Sequence, residues 1–596
     1  GVFRAVRFAR ASSVATLDGR RVKEGSVASD MHGNGTRTRE GEEEEEGTSP
    51  RHGRGDEGSV GCRSESGRGH GKKPPHVQPG KGMRGWMWER FLPERHKGKP
   101  QGVPVHVMLP LDTVQPDGTV RYLDEKWFQQ LLKKMHKAGV KGLMVDVWWG
   151  VVERDAPRKY NWEPYRLLAK HVASAGLELH VVFSFHACGG NVGDTFCLPL
   201  PKWVEYAMDR CSDLLYKDRP NLRRTKSEIS HYSLERSPTN VEATSWANKE
   251  CISLFADEKQ GLLEGRSPMQ CYRDFMMSFR DSMGDLIGNV ITDAVIGAGP
   301  CGELRYPSYP MQGARWQFPG IGEFMCYGKF ALESLQIAAK KAGHPEWGKG
   351  GPHDAGCYNS FPDHTGFFTS VGGRYQTEYG KFFLNWYSNE LLNHGERLLC
   401  AASDVFGSPT ERKMSITLKL AGIHWWHHHP SHAAESTAGY NNTSSQDFYD
   451  LIARTCLSYG ARICFTCVEM EECAQPSLAR CGPETLLLHI RKICALLGVQ
   501  LHGENALPCH GVDEFNKNAL QRIIYSTHAS GDSDNLPAMG GFTFLRLSRE
   551  LAQPMLWGVW VNFVQEMSKG GEFHGRMFSR KSLPRGASAI EFPSSP

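Results

Sequence analysis

Two glutamates in this sequence stand in settings suited to proton transfer. Glu303 lies in Gly299-Pro300-Cys301-Gly302-Glu303-Leu304-Arg305-Tyr306-Pro307-Ser308-Tyr309-Pro310, directly after an apolar strand pattern from Val290 to Ile296. The glycines and prolines stop the strand, and the tyrosines surround one acid with aromatic rings. Glu504 lies in Gly503-Glu504-Asn505-Ala506-Leu507-Pro508, also after a strand pattern. Hydrolysis of a glycosidic bond uses two carboxyls, one protonating the leaving oxygen and one activating water or attacking the sugar. Acids after the fourth and seventh strands of a barrel face each other across its mouth. That placement favours a wide carboxyl spacing with room for a water, and hence inversion.

Other polar runs could serve such a site. Gly189-Gly190-Asn191-Val192-Gly193-Asp194 reads as a mobile lid or as a tight structural turn. It is not a phosphate loop, because no Gly-Lys-Ser/Thr follows. The run from His424 to His432 and the cysteines Cys464, Cys467, Cys473 and Cys481 raise the question of a metal. They lack the two paired Cys-x-x-Cys spacings of a zinc site, and no carboxylate stands out beside the histidines. A solvated loop with His424 and its tryptophans facing a pocket is expected there, and no metal.

The elements that must position these residues follow from periodicity. Strand patterns run Val103–Leu109, Val140–Val147, Leu177–Phe185, Val290–Ile296, Ile416–Ala421, Ala461–Cys467, Val499–Leu501 and Gly541–Leu545. Helical patterns separate most of them, one capped by Asp124 and closed by Gly139, others near Glu163–Ala175, Pro268–Leu286 and Pro483–Leu497. Eight alternations predict an α/β fold, a (β/α)8 barrel of the TIM type with long loops at the C-terminal face. Polar residues fall after nearly every strand: Asp112, His186, Glu303, Lys419 with His424, Thr466, Glu504 and Arg546. Barrel enzymes keep their chemistry at those strand ends.

Composition bounds the rest. The 596 residues carry a formal charge of +4, too small on this length to argue for nucleic acid. No apolar run reaches membrane-spanning length. The 15 Trp, 18 Tyr and 28 Phe include many in polar, Gly/Pro-punctuated segments, a setting that suits sugar rings, although core packing accounts for most. The 17 cysteines, odd in number and scattered, argue for a reducing or mixed compartment. Residues 1–25, with Arg4, Arg7, Arg10, Ser12 and Ser13, fit an organellar transit peptide or an ordinary basic tail. Residues 26–100 hold too few apolar side chains for a core, so a disordered extension is expected over 1–100. The barrel domain is expected over 101–568, interrupted by a polar insertion from Pro220 to Ala247, with a tail from 569 to 596.

Several long motifs resemble the plant β-amylases: Val145-Asp146-Val147-Trp148-Trp149-Gly150, Ser184-Phe185-His186 with Gly189–Asp194, Gly302–Pro310, Gly422-Ile423-His424-Trp425-Trp426, Phe465-Thr466-Cys467-Val468-Glu469-Met470 and Gly503–Pro508. The resemblance implies a hydrolase of α-1,4-glucosidic bonds that releases β-maltose from the non-reducing ends of starch chains. It implies Glu303 as general acid and Glu504 as general base, with Gly189–Asp194 as the lid and Phe465-Thr466 as an inner loop. Sugar contacts are implied for Asp112, His186, Asp194, Lys419, His424, Thr466, Asn505, Ala506 and Arg546. No metal or organic cofactor, no membrane and no nucleic-acid partner is implied. A monomer in the plastid is expected, with the cytoplasm as the alternative compartment. Cys464, where the family usually has Asn, and the insertion near the lid depart from the pattern. A catalytically silent glucan-binding relative is the alternative, and retention of both acids argues for the enzyme.

Overall fold

The computed structural model describes residues 102–569, apart from 124, 192–193, 195, 221–244, 444–445, 510–513 and 530–535. The basic segment 1–25, the extension to residue 100 and the tail beyond 569 lie outside the described residues, as does most of the expected insertion.

Eight parallel strands close into a barrel: β1 (Val105–Met108), β2 (Gly142–Trp148), β3 (Glu178–Ser184), β4 (Ile291–Ile296), β5 (Ser415–Leu420), β6 (Arg462–Phe465), β7 (Leu501–Glu504) and β8 (Gly541–Phe544). Each pairs with its chain neighbour, and β1 closes the ring against β8 through Val105 opposite Phe542. Strands buried on both faces read as continuous apolar runs. β2 illustrates this, with all of Gly142–Trp148 buried.

Eight helices accompany the strands: α1 (Lys126–Ala138), α2 (Glu163–Ser174), α3 (Pro268–Met283), α4 (Glu378–Phe406), α5 (Phe448–Ser458), α6 (Pro483–Leu497), α7 (Glu514–Thr527) and α8 (Pro554–Ser568). Their apolar stripes meet the outer face of the barrel. α1 buries Trp127, Phe128, Leu131, Leu132 and Met135, and Gly139 ends it at φ 101° with its N–H on the carbonyls of His136 and Met135. The expected cap Asp124 lies outside the described residues. Glu125 takes the cap position, and its carboxylate accepts from the Trp127 indole N–H rather than from the helix backbone. α3 opens on a capping box between Ser267 and Gln270 followed by Pro268, as its sequence favours.

The sequence-predicted barrel is present, with one correction at a strand that matters most. The seventh strand is Leu501–Glu504 rather than Val499–Leu501, so Glu504 is its last residue and not a loop residue. Lys419 lies inside β5, within the expected strand Ile416–Ala421. A barrel interior near its mouth accepts polar side chains within the strand itself, so polarity there does not mark the strand's end. Between β3 and α3, Tyr216–Lys217 and Ala247–Asn248 pair as a short antiparallel ribbon that joins the two sides of the segment 221–244.

The barrel interior is layered. Met108, Met144, Val182 and Val295 form an apolar cluster of their own, with Leu545 packed against it. Polar residues lie on both sides of that layer, and the two polar regions differ in kind.

Candidate active site

Glu303 sits at the turn that follows β4. The chain reaches it through two residues with positive φ, Cys301 at 56° and Gly302 at 73°. The first is an uncommon conformation for a side chain larger than glycine, of the sort held only where the surroundings impose it. The Leu304 N–H then donates to the Lys419 carbonyl at 2.8 Å, which ties the turn to β5. The Tyr440 hydroxyl reinforces the tie. It donates to the Leu304 carbonyl at 2.6 Å and accepts from the Ala421 N–H at 3.1 Å. The Arg305 Nε donates to Glu303 Oε2 at 2.7 Å, and Arg305 Nη2 reaches Asn191 Oδ1 at 3.3 Å. Burial alone would lower the Arg305 pKa, but the Glu303 and Glu250 carboxylates hold it above its ordinary value.

Glu504 ends β7 with its side chain only 2% exposed, and its Oε2 lies 2.7 Å from Lys419 Nζ. Burial opposes the charge on Lys419, yet Glu504 and then Glu303 raise its pKa above the usual lysine range. Lys419 also bridges to Glu303 through the backbone, so the Glu303 turn and the Glu504 side chain meet on one residue of β5. The loop after Glu504 is fixed from behind. Glu469 accepts from the Ala506 N–H at 3.0 Å and the Leu507 N–H at 2.7 Å. Asn505 accepts from the Leu545 N–H at 2.8 Å and returns its amide to the Leu545 carbonyl at 2.6 Å. Cys464, the register partner of Lys419, is buried beside this pair. Burial and then the Glu504 charge push its thiol pKa well up.

The remaining expected contacts surround these acids at varying distance. His186 is buried against the edge of Trp148, and its Nδ1 has no hydrogen-bond partner in the protein. Burial, then Lys419 and Arg305, lower its pKa to about 3. His424 likewise has an unpartnered Nδ1, and burial and then His427 lower it to about 4. Two neutral imidazoles with a free polar atom suit hydroxyl groups better than ions. The Thr466 Oγ1 accepts from the Gly422 N–H at 2.8 Å. The Arg546 Nη1 donates to the Leu109 carbonyl at 2.9 Å, and its charge opposes the burial that raises the Asp146 pKa. Asp194 Oδ2 accepts from the Gly189 and Asn191 N–H groups, each at 2.9 Å, and so shapes the glycine-rich loop. Asp112 pairs with Arg121. Among the described side-chain contacts, Lys419 is the one expected sugar-binding residue that meets either glutamate, through Glu504.

The histidine-rich run corrects an expectation. It is not a solvated loop lacking carboxylates. Glu435, fully buried, accepts from His427 Nδ1 at 3.1 Å and His432 Nδ1 at 2.6 Å. His429, also buried, meets Asp363 at 3.1 Å. Trp425 and Trp426 are buried and spend their indole N–H groups on the Gly320 and Pro319 carbonyls. Asp363, Gly320 and Pro319 come from distant turns, whereas Glu435 lies only three residues past His432 and was within reach of the sequence. The run forms the wall behind the cleft.

Sequence reasoning missed four supporting residues. Glu250 is buried and accepts from Asn191 Nδ2 at 2.6 Å, which links the glycine-rich loop to Arg305 and thence to Glu303. Burial raises its pKa to about 7 against the pull of Arg305. Glu250 follows the aperiodic insertion, and no pattern marks it. Asp146, which accepts from Ser184 Oγ at 2.9 Å, and Glu469 were visible as single carboxyls among apolar neighbours, a placement that demands a partner. Tyr440 carried no signal.

Comparison with known proteins agrees with this geometry. The sequence profile of glycosyl hydrolase family 14 matches residues 106–239 and 229–573. The chain is 44% identical over 471 residues to Beta-amylase 2, chloroplastic, of Oryza sativa subsp. japonica, covering 79% of this chain and 78% of that one. It is 43% identical over 476 residues to Beta-amylase 1, chloroplastic, of Arabidopsis thaliana, covering 79% and 77%. The crystal structure of the catalytic domain of beta-amylase from Paenibacillus polymyxa superposes with a TM-score of 0.60 at 26% identity, covering 79% of this chain and all of that one.

Proposed function

The chain belongs to glycosyl hydrolase family 14 and is a starch-hydrolysing, maltose-releasing glycosidase, and we propose that Glu303 and Glu504 carry its two proton transfers. Glu303, oriented by Arg305, protonates the glycosidic oxygen. Glu504, paired with Lys419, accepts a proton from the water that attacks the anomeric carbon from the opposite face. Attack on that face inverts the anomeric centre and yields β-maltose. His186, His424, Thr466, Asp194, Asp112, Asn505, Ala506 and Arg546 hold successive glucosyl units, and the Gly189–Asp194 loop closes over them. The enzyme works in the plastid, the compartment printed in the names of its relatives.

The observation that carries this reading is Lys419, whose ammonium lies 2.7 Å from Glu504 Oε2 and whose backbone bridges to Glu303. Soluble starch incubated with the protein and followed by NMR at the anomeric protons tests it. The first maltose formed is expected as the β anomer. Maltose appearing first as the α anomer would remove the inverting assignment of the two glutamates.

A further inference from the structure

The end of the barrel away from Glu303 and Glu504 has a cavity of about 400 Å³. Its wall comes from the N-terminal parts of β4, β5 and β6 and the turn before β7, through Thr292, Ser415, Arg462 and Gln500. Arg412 and Lys413, just before β5, add two more cations to it. Strand register gathers these groups. Asp293, beside Thr292, pairs with Ser415, and Thr417 pairs with Arg462. The Ile463 N–H donates to the Gln500 carbonyl at 3.0 Å.

Three cations and no carboxylate line this cavity. Arg462 has one ionic neighbour among the described contacts, Asp293 at 3.9 Å, too far for a hydrogen bond. That carboxylate is buried and takes the Thr417 hydroxyl at 2.9 Å. Two other acids close in the chain are already engaged. Glu178 accepts from the Thr292 hydroxyl at 3.1 Å and pairs with Lys141 Nζ at 2.6 Å, and Glu411 accepts from the Ser408 hydroxyl at 2.7 Å. Arg412 spends its two Nη groups on the Tyr459 and Gly460 carbonyls, which fixes the guanidinium without neutralising it. Lys413 Nζ, the Ser415 hydroxyl and the Gln500 amide have no partner among the described contacts. Like charges gathered in one cleft repel one another, and a bound anion relieves that repulsion. The charge of Arg462 accordingly adds to burial in lowering the Arg412 pKa.

We infer that this cavity binds a phosphate dianion, either inorganic phosphate or the phosphate group of a small sugar ester. Arg462 and Lys413 meet the charge, Arg412 strengthens the field, and Ser415 and Gln500 donate to the remaining oxygens. A planar guanidinium beside an ammonium and neutral donors suits a tetrahedral oxyanion. Asp293 offsets one of the three cations, which leaves the charge of a dianion to be met. The volume exceeds that of a bare phosphate and is in the range of small-ligand sites, so an attached sugar fits. The site is separate from the cleft of Glu303 and Glu504 and does not depend on their roles.

The test is calorimetric titration of the full chain with inorganic phosphate and, separately, with glucose 6-phosphate. The salt is held at about 0.15 M so that diffuse attraction is screened. One equivalent is expected to bind with a Kd below about 1 mM. Tighter binding of the ester assigns the site to a sugar phosphate, and equal or weaker binding assigns it to free phosphate. Arg462→Gln is expected to weaken binding about 10-fold, and Lys413→Gln about 3-fold. Lys133→Gln, on the exposed side of α1, is expected to leave it unchanged. Lys413 is exposed, so its variant decides the matter if the Arg462 variant does not fold. No binding of either anion to the unsubstituted chain, undiminished binding in Lys413→Gln, or an equal loss in Lys133→Gln would each overturn the site.

Discussion

The two polar ends of the barrel interior are built on opposite terms. At the mouth, charges of alternating sign follow one another from Glu250 to Arg305, Glu303, Lys419 and Glu504. At the floor, burial first, and then the positive charge of Arg462 among other neighbours, keeps His106, His180 and His502 from taking a proton. A buried charge is tolerated where an opposite charge and hydrogen bonds meet it, and otherwise the group stays neutral. The mouth therefore gathers acidic and basic side chains in opposite-charge pairs. The floor holds uncharged rings.

Removing one member of the mouth's charge chain is the most direct way to break that contrast. Glu303→Gln is expected to lower kcat on soluble starch by on the order of 10³-fold or more while maltose still binds by calorimetry. Near-normal turnover in this variant would mean that the mouth does not do the proton transfer. Lys419→Met leaves Glu504 buried without its cation. A loss of about 3–5 kcal/mol in denaturant-monitored stability is expected, since breaking a buried pair strands the remaining charge. A loss under 1 kcal/mol would show the ion pair to be solvated.

A smaller effect concerns pH. Glu469 is buried, and burial raises its pKa from 4.5 to about 7 against the hydrogen bonds from Leu507 and Ala506. The folded state then binds the proton more tightly than the unfolded chain, so this group's contribution to stability falls as pH rises between about 4.5 and 7. Glu469→Gln is expected to flatten the melting temperature against pH in that window. An unchanged slope would place the titration elsewhere. The smallest effect is expected at the floor. His502→Gln should change starch turnover by less than about 2-fold, because no floor residue reaches the cleft. A large loss there would erase the distinction between the two ends.

The sequence by itself determined the barrel, the two glutamates and most of the groups around them. Strand and helix periods are local, and a glutamate set between glycine and a proline-rich return announces its loop without help from distant residues. Strand ends were less legible. Glu504 was read as lying past its strand because polarity resembles a stop signal when the barrel interior is not in view. Tertiary structure alone decided who meets whom. Asp363 against His429, Glu250 behind Arg305, Tyr440 across the Glu303 turn and His106 against His180 all join residues far apart in the chain. Whether a buried polar atom is satisfied or left open depends on those partners. That is why the chemistry of the mouth could be read from residue types, and the character of the floor only from their packing.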